Sequence, residues 1–192
     1  MANSDRQKWN AKYSGKAIPS TQPPDNWLCH AVTALIPGRA LDLACGLGHN
    51  AIWLGRQGWR VDAVDISEVG LSLAAQSATA TGCSSVTWIA ADLDIYAPDP
   101  STYDLITVLR FLDRERLPSL IEAALRPGGT LVYETFAQQH LTRSDNHLKS
   151  DRFTLLPNEL PRLFPNLAIE QFEEVDLPDR SVARLIARKP AI

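Results

Sequence analysis

From residue 39 onward, short apolar runs alternate with stretches whose apolar positions recur every three or four residues. Runs at 39–45, 60–66, 86–92, 103–109 and 130–136 are short, apolar and bounded by turn residues, which predicts strands. The intervening stretches 49–57, 67–81 and 114–126 predict helices. In the last of these, Leu117, Leu120, Ile121, Ala124 and Leu125 fall at i, i+3, i+4, i+7 and i+8. Pro118 has no N–H to donate, so the regular helix is expected to begin near it. "RPGG" at 126–129 is expected to stop that helix and turn the chain into the next strand. Apolar strands alternating with helices predict a parallel sheet covered on both faces.

The two ends depart from this pattern. Residues 3–13 predict a helix, with Ser4 and Gln7 spaced as a capping box and Trp9 and Tyr13 stacked on one face at i, i+4. Residues 14–26 carry Gly15, Pro19, Pro23 and Pro24 and read as a connector; a short helix is expected over 27–35, ended by Pro37-Gly38. At the other end, strand-like runs at 166–177 and 181–190 are separated only by Pro178-Asp179-Arg180. So short a link cannot hold a parallel crossover, so an antiparallel hairpin is predicted.

Composition narrows the class without naming a ligand. With 192 residues, 45% hydrophobic and 21% charged, the chain suits a single globular domain with a full core. Its net charge of −3 disfavours nucleic-acid and anionic-membrane partners. Cys29, Cys45 and Cys83 form no framework spacing and read as free thiols in a reducing compartment. No apolar stretch approaches the ~20 residues of a membrane span, and the polar start "MANSDRQKWN" has no signal core, so a cytoplasmic location is expected.

The chemistry begins at "RALDLACGLGHN" (39–50), where an apolar strand ends in an Asp and a two-glycine loop opens a helix. Gly46 and Gly48 let backbone approach a ligand, and a helix starting near His49 offers free N–H groups and a positive dipole end to an anion. Asp65 ends the next strand, 17 residues beyond Gly48 (48 to 65). A carboxylate there can accept both hydroxyls of a ribose diol. Gly46-x-Gly48-x-x-Ala51 also satisfies the dinucleotide fingerprint, so this spacing alone leaves a nicotinamide-linked oxidoreductase open.

The ordered motifs "LDLACGLGHNAIWLGRQGWRVDAVDIS", "AADLD" (90–94), "YDLITVLRF" (103–111) and "LRPGGTLVYETF" (125–136) resemble those of class I S-adenosylmethionine-dependent methyltransferases, from about residue 38 to 190. "KWNAKYSG" and "RFLDRERLPSLIEAALRPGGTLVYETF" are similar to the small bacterial enzymes grouped with tellurite-resistance and thiopurine methyltransferases. The resemblance implies one methyltransferase domain over 1–192, with 1–37 a helical lid and connector and 38–192 a doubly wound, mostly parallel seven-stranded α/β core. It implies S-adenosylmethionine as cofactor and S-adenosylhomocysteine as product. Asp42 and the loop carrying Ala44, Gly46, Gly48 and Asn50 would face the methionine end, with Asp65 on the ribose and Ile66 against adenine. Asp92, followed by Leu93, would accept from the adenine amino group, and Leu109 and Arg110 would lie beneath the sulfonium. Trp9 and Tyr13 fit either a lid over the cofactor or a plain docking face. Two positions depart from the family pattern: Ala44 replaces a frequent glycine and Asn10 a frequent acid.

The acceptor side is less legible. Segment 137–160 follows the fifth strand, where insertions overhang the ligand crevice, and its polar residues His140, Arg143, Asn146, His147 and Arg152 are substrate candidates or solvated loop. Arg110 is a further candidate. Glu134, in an apolar strand, must be paired or poised: it orients substrate or meets an arginine. Cys45 has no His or Asp spaced to activate it, and the four histidines show no metal spacing, so no metal is expected. No residue is singled out as catalytic. The expected reaction is in-line methyl transfer to a small molecule, with a thiol or chalcogen oxyanion as the acceptor that needs no base. A non-catalytic cofactor-binding regulator is the remaining alternative. No Asn-Pro-Pro-aromatic motif follows the fourth strand, which reads "VLRFLD", so a nucleic-acid methyltransferase is disfavoured; oligomeric state is not readable.

Overall fold

The computed structural model describes residues 2–16, 22–146, 148 and 150–191. Seven strands form a mostly parallel sheet flanked by helices. The chain falls into two compact units, Met1–Pro98 and Asp99–Ile192.

In the first unit, β1 (Arg39–Leu43), β2 (Arg60–Asp65) and β3 (Val86–Ala90) run parallel, with β2 between the other two. Leu43 lies opposite Val64 and Asp65 opposite Ala90, so the carboxyl ends of all three strands line one edge. Helices α3 (His49–Arg56) and α4 (Glu68–Ala80) are the parallel crossovers, and Leu41, Leu43, Leu54, Trp59 and Val64 fill the core. Helix α1 (Ala2–Tyr13) packs on α4. It begins at Ala2, ahead of Ser4, so the expected capping box does not start it. Helix α2 (Asn26–Val32) is capped by Asp25, which accepts from the N–H groups of Trp27 and Leu28, and it ends three residues short of the expected Leu35. Part of the expected connector, 17–21, lies outside the described residues.

In the second unit, β4 (Tyr103–Leu109) pairs parallel with β5 (Leu125–Phe136), and the hairpin β6 (Ala168–Asp176) and β7 (Ser181–Arg188) is antiparallel, with β7 beside β5. Helix α5 (Leu117–Ala124) starts with Pro118 in its first turn, where a missing N–H costs nothing. Strand β5 begins at Leu125, five residues earlier than expected. The ladder nevertheless jumps from Leu125 opposite Tyr103 to Thr130 opposite Leu105, so 126–129 bulge out of it, with Gly128 in the left-handed region (φ 77°). "RPGG" therefore turns the chain inside the strand rather than before it. Ile106, Val108, Ile121, Tyr133, Phe164 and Leu185 form this unit's core. The 3₁₀ turns Gln138–Thr142 and Asp151–Phe153 and the short helix α6 (Glu159–Arg162) connect β5 to β6.

Candidate active site

At the carboxyl edge of the first unit, β1 carries the buried Asp42 one residue before its end, and the chain turns sharply through 44–48. Ala44 (φ 56°), Gly46 (φ 56°) and Gly48 (φ 71°) all adopt left-handed backbone, which explains why glycine suits position 44 and why alanine there is strained. Cys45 N donates to the Val64 carbonyl (3.0 Å) and Gly48 N to the Cys45 carbonyl (2.9 Å), which fix the loop against β2 and open α3. Gly48 is a packing glycine too: a Cβ there would sit 2.4 Å from the Trp88 ring and 2.8 Å from the Ala74 methyl.

Asp65 is 7% exposed at the end of β2. Its Oδ2 accepts from Gly46 N and its Oδ1 from Ser67 N, both at 2.8 Å. Burial raises its pKa, and the N–H groups of Ser67, Gly46 and Ile66 oppose that rise. An ionised carboxylate has about four acceptor sites, so these backbone donors leave it able to accept from a ribose hydroxyl as well. Ile66, half-buried, follows it directly. Ala91 N donates to the Asp65 carbonyl (3.0 Å), which brings the segment after β3 alongside. There Asp92 Oδ1 accepts from Asp94 N (3.0 Å) in a local turn, beside the buried Leu93. Asn50 is buried and accepts from Asp25 N (2.9 Å), joining α3 to the cap of α2.

Tyr13 lies against this edge. Its ring is stacked with Trp9 at 5.8 Å between centroids. A Cβ on Gly70 would come within 2.9 Å of that ring, and one on Gly46 within 3.0 Å of its hydroxyl. Burial, then the charges of Asp65 and Cys45, push the phenol's pKa up, so it stays a neutral donor. The sequence singled out neither Ser67 nor Gly70. A serine before the helical run 68–80 and a glycine in that helix's first turn were the available signals. The Cys45 thiol is pushed well above its ordinary value by burial, then by Asp42 and Asp65, which suits a packing residue and not a nucleophile.

In the second unit, Leu109 is half-buried and Arg110 exposed at the end of β4. Arg110 takes a left-handed conformation (φ 62°) while its N–H donates to the Glu134 carbonyl (2.8 Å). Glu134 is fully buried and accepts from Arg180 Nε (3.2 Å) and Arg184 Nε (2.8 Å); Arg184 continues across the hairpin to Glu173 (3.3 Å). Of the two roles expected for Glu134, pairing with arginine is the one this geometry supplies. Asp179 lies below its usual range: burial alone would raise it, but the Arg180 guanidinium, and after it the charge of Arg110, prevail.

His140 is 1% exposed, stacked on Phe136 at 4.6 Å, with Nδ1 accepting from Ser181 N (3.3 Å). Arg143 pairs with Asp145 (2.9 Å) and donates to the carbonyls of Leu177 (3.1 Å) and Pro178 (2.6 Å), bracing the hairpin turn. Asn146 bonds the backbone of Leu141 and Leu148, and His147 lies outside the described residues. Arg152 caps the Phe153 ring at 4.7 Å and, with Arg114, Gln138, Asp151, Thr154 and Leu156, lines a cavity of about 280 Å³.

A glycine turn at a helix N-terminus and a buried carboxylate at the next strand's end lie on a mostly parallel sheet closed by an antiparallel hairpin, which is the Rossmann-like methyltransferase fold. Residues 40–129 match the family described as "Methyltransferase domain". The chain is 30% identical over 115 residues to the ubiquinone biosynthesis O-methyltransferase of Vibrio cholerae, covering 57% of this chain and 46% of that protein. It thus spans about half the length of that curated relative. Its fold is shared by magnesium protoporphyrin IX methyltransferase from Synechocystis PCC 6803 with bound SAH (TM-score 0.69, 18% identity, 98% and 99% of the two chains). It is also shared by TehB from Haemophilus influenzae (TM-score 0.68, 21% identity, 96% and 66%). Among the described residues no helix is long and apolar enough to cross a membrane.

Proposed function

We propose that this chain transfers the methyl group of S-adenosylmethionine to a small soft nucleophile, a thiol or a chalcogen oxyanion, acting as a single methyltransferase domain whose lid is α1. Bound, the cofactor supplies the electrophilic methyl; the protein holds it, aligns the acceptor and excludes water. Asp42 would take the methionine ammonium, Asp65 the ribose, and Asp92 with Leu93 the adenine. Trp9 and Tyr13 would cover the site, and Leu109 and Arg110 would flank the sulfonium.

One observation carries the acceptor class. Of the acceptor-side candidates that could act as a base, Glu134 and His140 are both buried and engaged, with two arginines and with the Ser181 N–H respectively, and His147 lies outside the described residues. An acceptor that ionises on its own needs neither as a base. The resemblance to tellurite-resistance and thiopurine enzymes, and the fold shared with TehB, support the same reading. The cavity beside Gln138 and Arg152 is the proposed acceptor pocket. Cys29, Cys45 and Cys83 as free thiols fit a cytoplasmic location.

A methyl-transfer assay would set small thiols, selenite and tellurite against a catechol. Turnover of a thiol or oxyanion, rising with the fraction of ionised acceptor, is expected. Turnover of the catechol alone would move the assignment to O-methylation.

A further inference from the structure

Asn10, one turn before Tyr13 on α1, accepts at Oδ1 from Ser67 Oγ (2.7 Å) and from Val69 N (3.4 Å). Val69 offers a backbone N–H there, which fixes the oxygen end of the amide toward α4. Ser67 is fully buried, and its hydroxyl also accepts from Gly70 N (3.1 Å) as the cap of α4. Its own N–H is the donor to Asp65 Oδ1, while Gly46 N supplies Oδ2. Hydrogen bonds therefore link Asn10 through Ser67 to Asp65 and on to the glycine loop. Tyr13 grips the same system at both ends, with its ring on Gly70 and its hydroxyl on Gly46.

We propose that Asn10 and Ser67 are positioning residues for the cofactor: they couple the seating of α1 to the orientation of the Asp65 carboxylate, so that lid docking and ribose binding reinforce each other. This rests on the reading of Asp65 as the ribose partner. A carboxylate held in one rotamer by two fixed N–H donors presents its remaining acceptor sites in one direction, which lowers the ordering cost of binding. Asn10 holds Ser67, and so holds one of those donors. Among the described residues of α1 only Tyr13 is buried, with Arg6, Trp9 and Asn10 half-buried. The contacts of Asn10 and Tyr13 both lead to the groups that hold Asp65. Both bonds to Asn10 use it purely as an acceptor, which an aspartate does equally well. Asparagine at a position where similar motifs carry an acid therefore preserves the interaction.

The test is a cycle of four calorimetric titrations. Wild type and Asn10→Ala are each titrated with S-adenosylhomocysteine and with an analogue lacking both ribose hydroxyls. Wild type should bind the full ligand about tenfold or more tightly than the analogue, the scale of one hydrogen bond to a charged group. Asn10→Ala should weaken the full ligand about five- to tenfold and the analogue less than about twofold, because the coupling runs through the ribose. Asn10→Asp should restore wild-type values for both. Equal weakening of both ligands by Asn10→Ala, or weakening of neither, overturns the coupling while leaving Asp65 in place. A wild-type protein that does not distinguish the two ligands removes Asp65 from the ribose, and with it both readings.

Discussion

Gly48→Ala is the most demanding substitution at the site's edge, because two independent penalties meet there. The backbone is left-handed (φ 71°), which costs an L-residue roughly 1–2 kcal/mol. The new methyl would lie 2.4 and 2.5 Å from two carbons of the Trp88 ring and 2.8 Å from the Ala74 Cβ, and overpacking of that kind costs roughly 1–3 kcal/mol. Losing glycine's freedom in the unfolded chain returns roughly 0.4–1 kcal/mol. The net expectation is a destabilisation of about 3 kcal/mol, a fall in Tm of roughly 6–12 °C for a chain of this size. Differential scanning calorimetry reads it directly. The same substitution in a Trp88→Leu background should cost less, about 2 kcal/mol, since the ring clash is gone while the backbone term and the Ala74 contact remain. A fall of less than about 2 °C, or an undiminished cost beside Leu, would refute the packing argument.

The remaining predictions bear on neighbouring features. Ala44→Gly relieves left-handed strain of roughly 1–2 kcal/mol but gives back chain entropy and part of a half-buried methyl, so a gain in Tm of about 1–2 °C is expected from the same scan. Glu134→Gln leaves the Arg180 and Arg184 guanidinia without their buried counter-charge and should cost roughly 3 kcal/mol in urea unfolding. An unchanged acceptor KM in the folded variant would accompany a purely pairing role. Glu159 is held below the usual glutamate range chiefly by the hydrogen bond from Arg114, with burial opposing. A depressed folded pKa contributes stability above the unfolded value of about 4.3 and loses it as pH falls through the folded one. The stability difference between wild type and Glu159→Gln should be about 1 kcal/mol at pH 7, allowing for the partly exposed arginine, and should vanish toward pH 2–3 in unfolding experiments run across that range.

Local chemistry made most of the fold legible. Each predicted strand and the closing hairpin appear because their apolar runs and turn residues act over a few positions, and Pro118 starts its helix as its missing N–H requires. "RPGG" has the local signature of a boundary to β5, but the strand pairs on both sides of it: Leu125 still finds Tyr103, a long-range partner that local turn propensity does not report. The proposed cofactor edge stands out in the sequence because its glycines and Asp65 sit at a fixed offset on consecutive strands. The acceptor side was opaque because its polar residues are settled by distant partners. His140 meets Ser181, Arg143 the turn at Leu177 and Pro178, and Glu134 the arginines of the β7 end, none of which spacing encodes. Asn10 and Ser67 were missed as a pair for the same reason, being 57 residues apart.

In the function proposed above, the loop at 44–48 and Asp65 hold S-adenosylmethionine. Parallel calorimetric titrations of the protein with S-adenosylmethionine, S-adenosylhomocysteine and NAD test it most directly. Micromolar binding of the first two and none of the third is the predicted result; binding of NAD with neither methionine cofactor would contradict it.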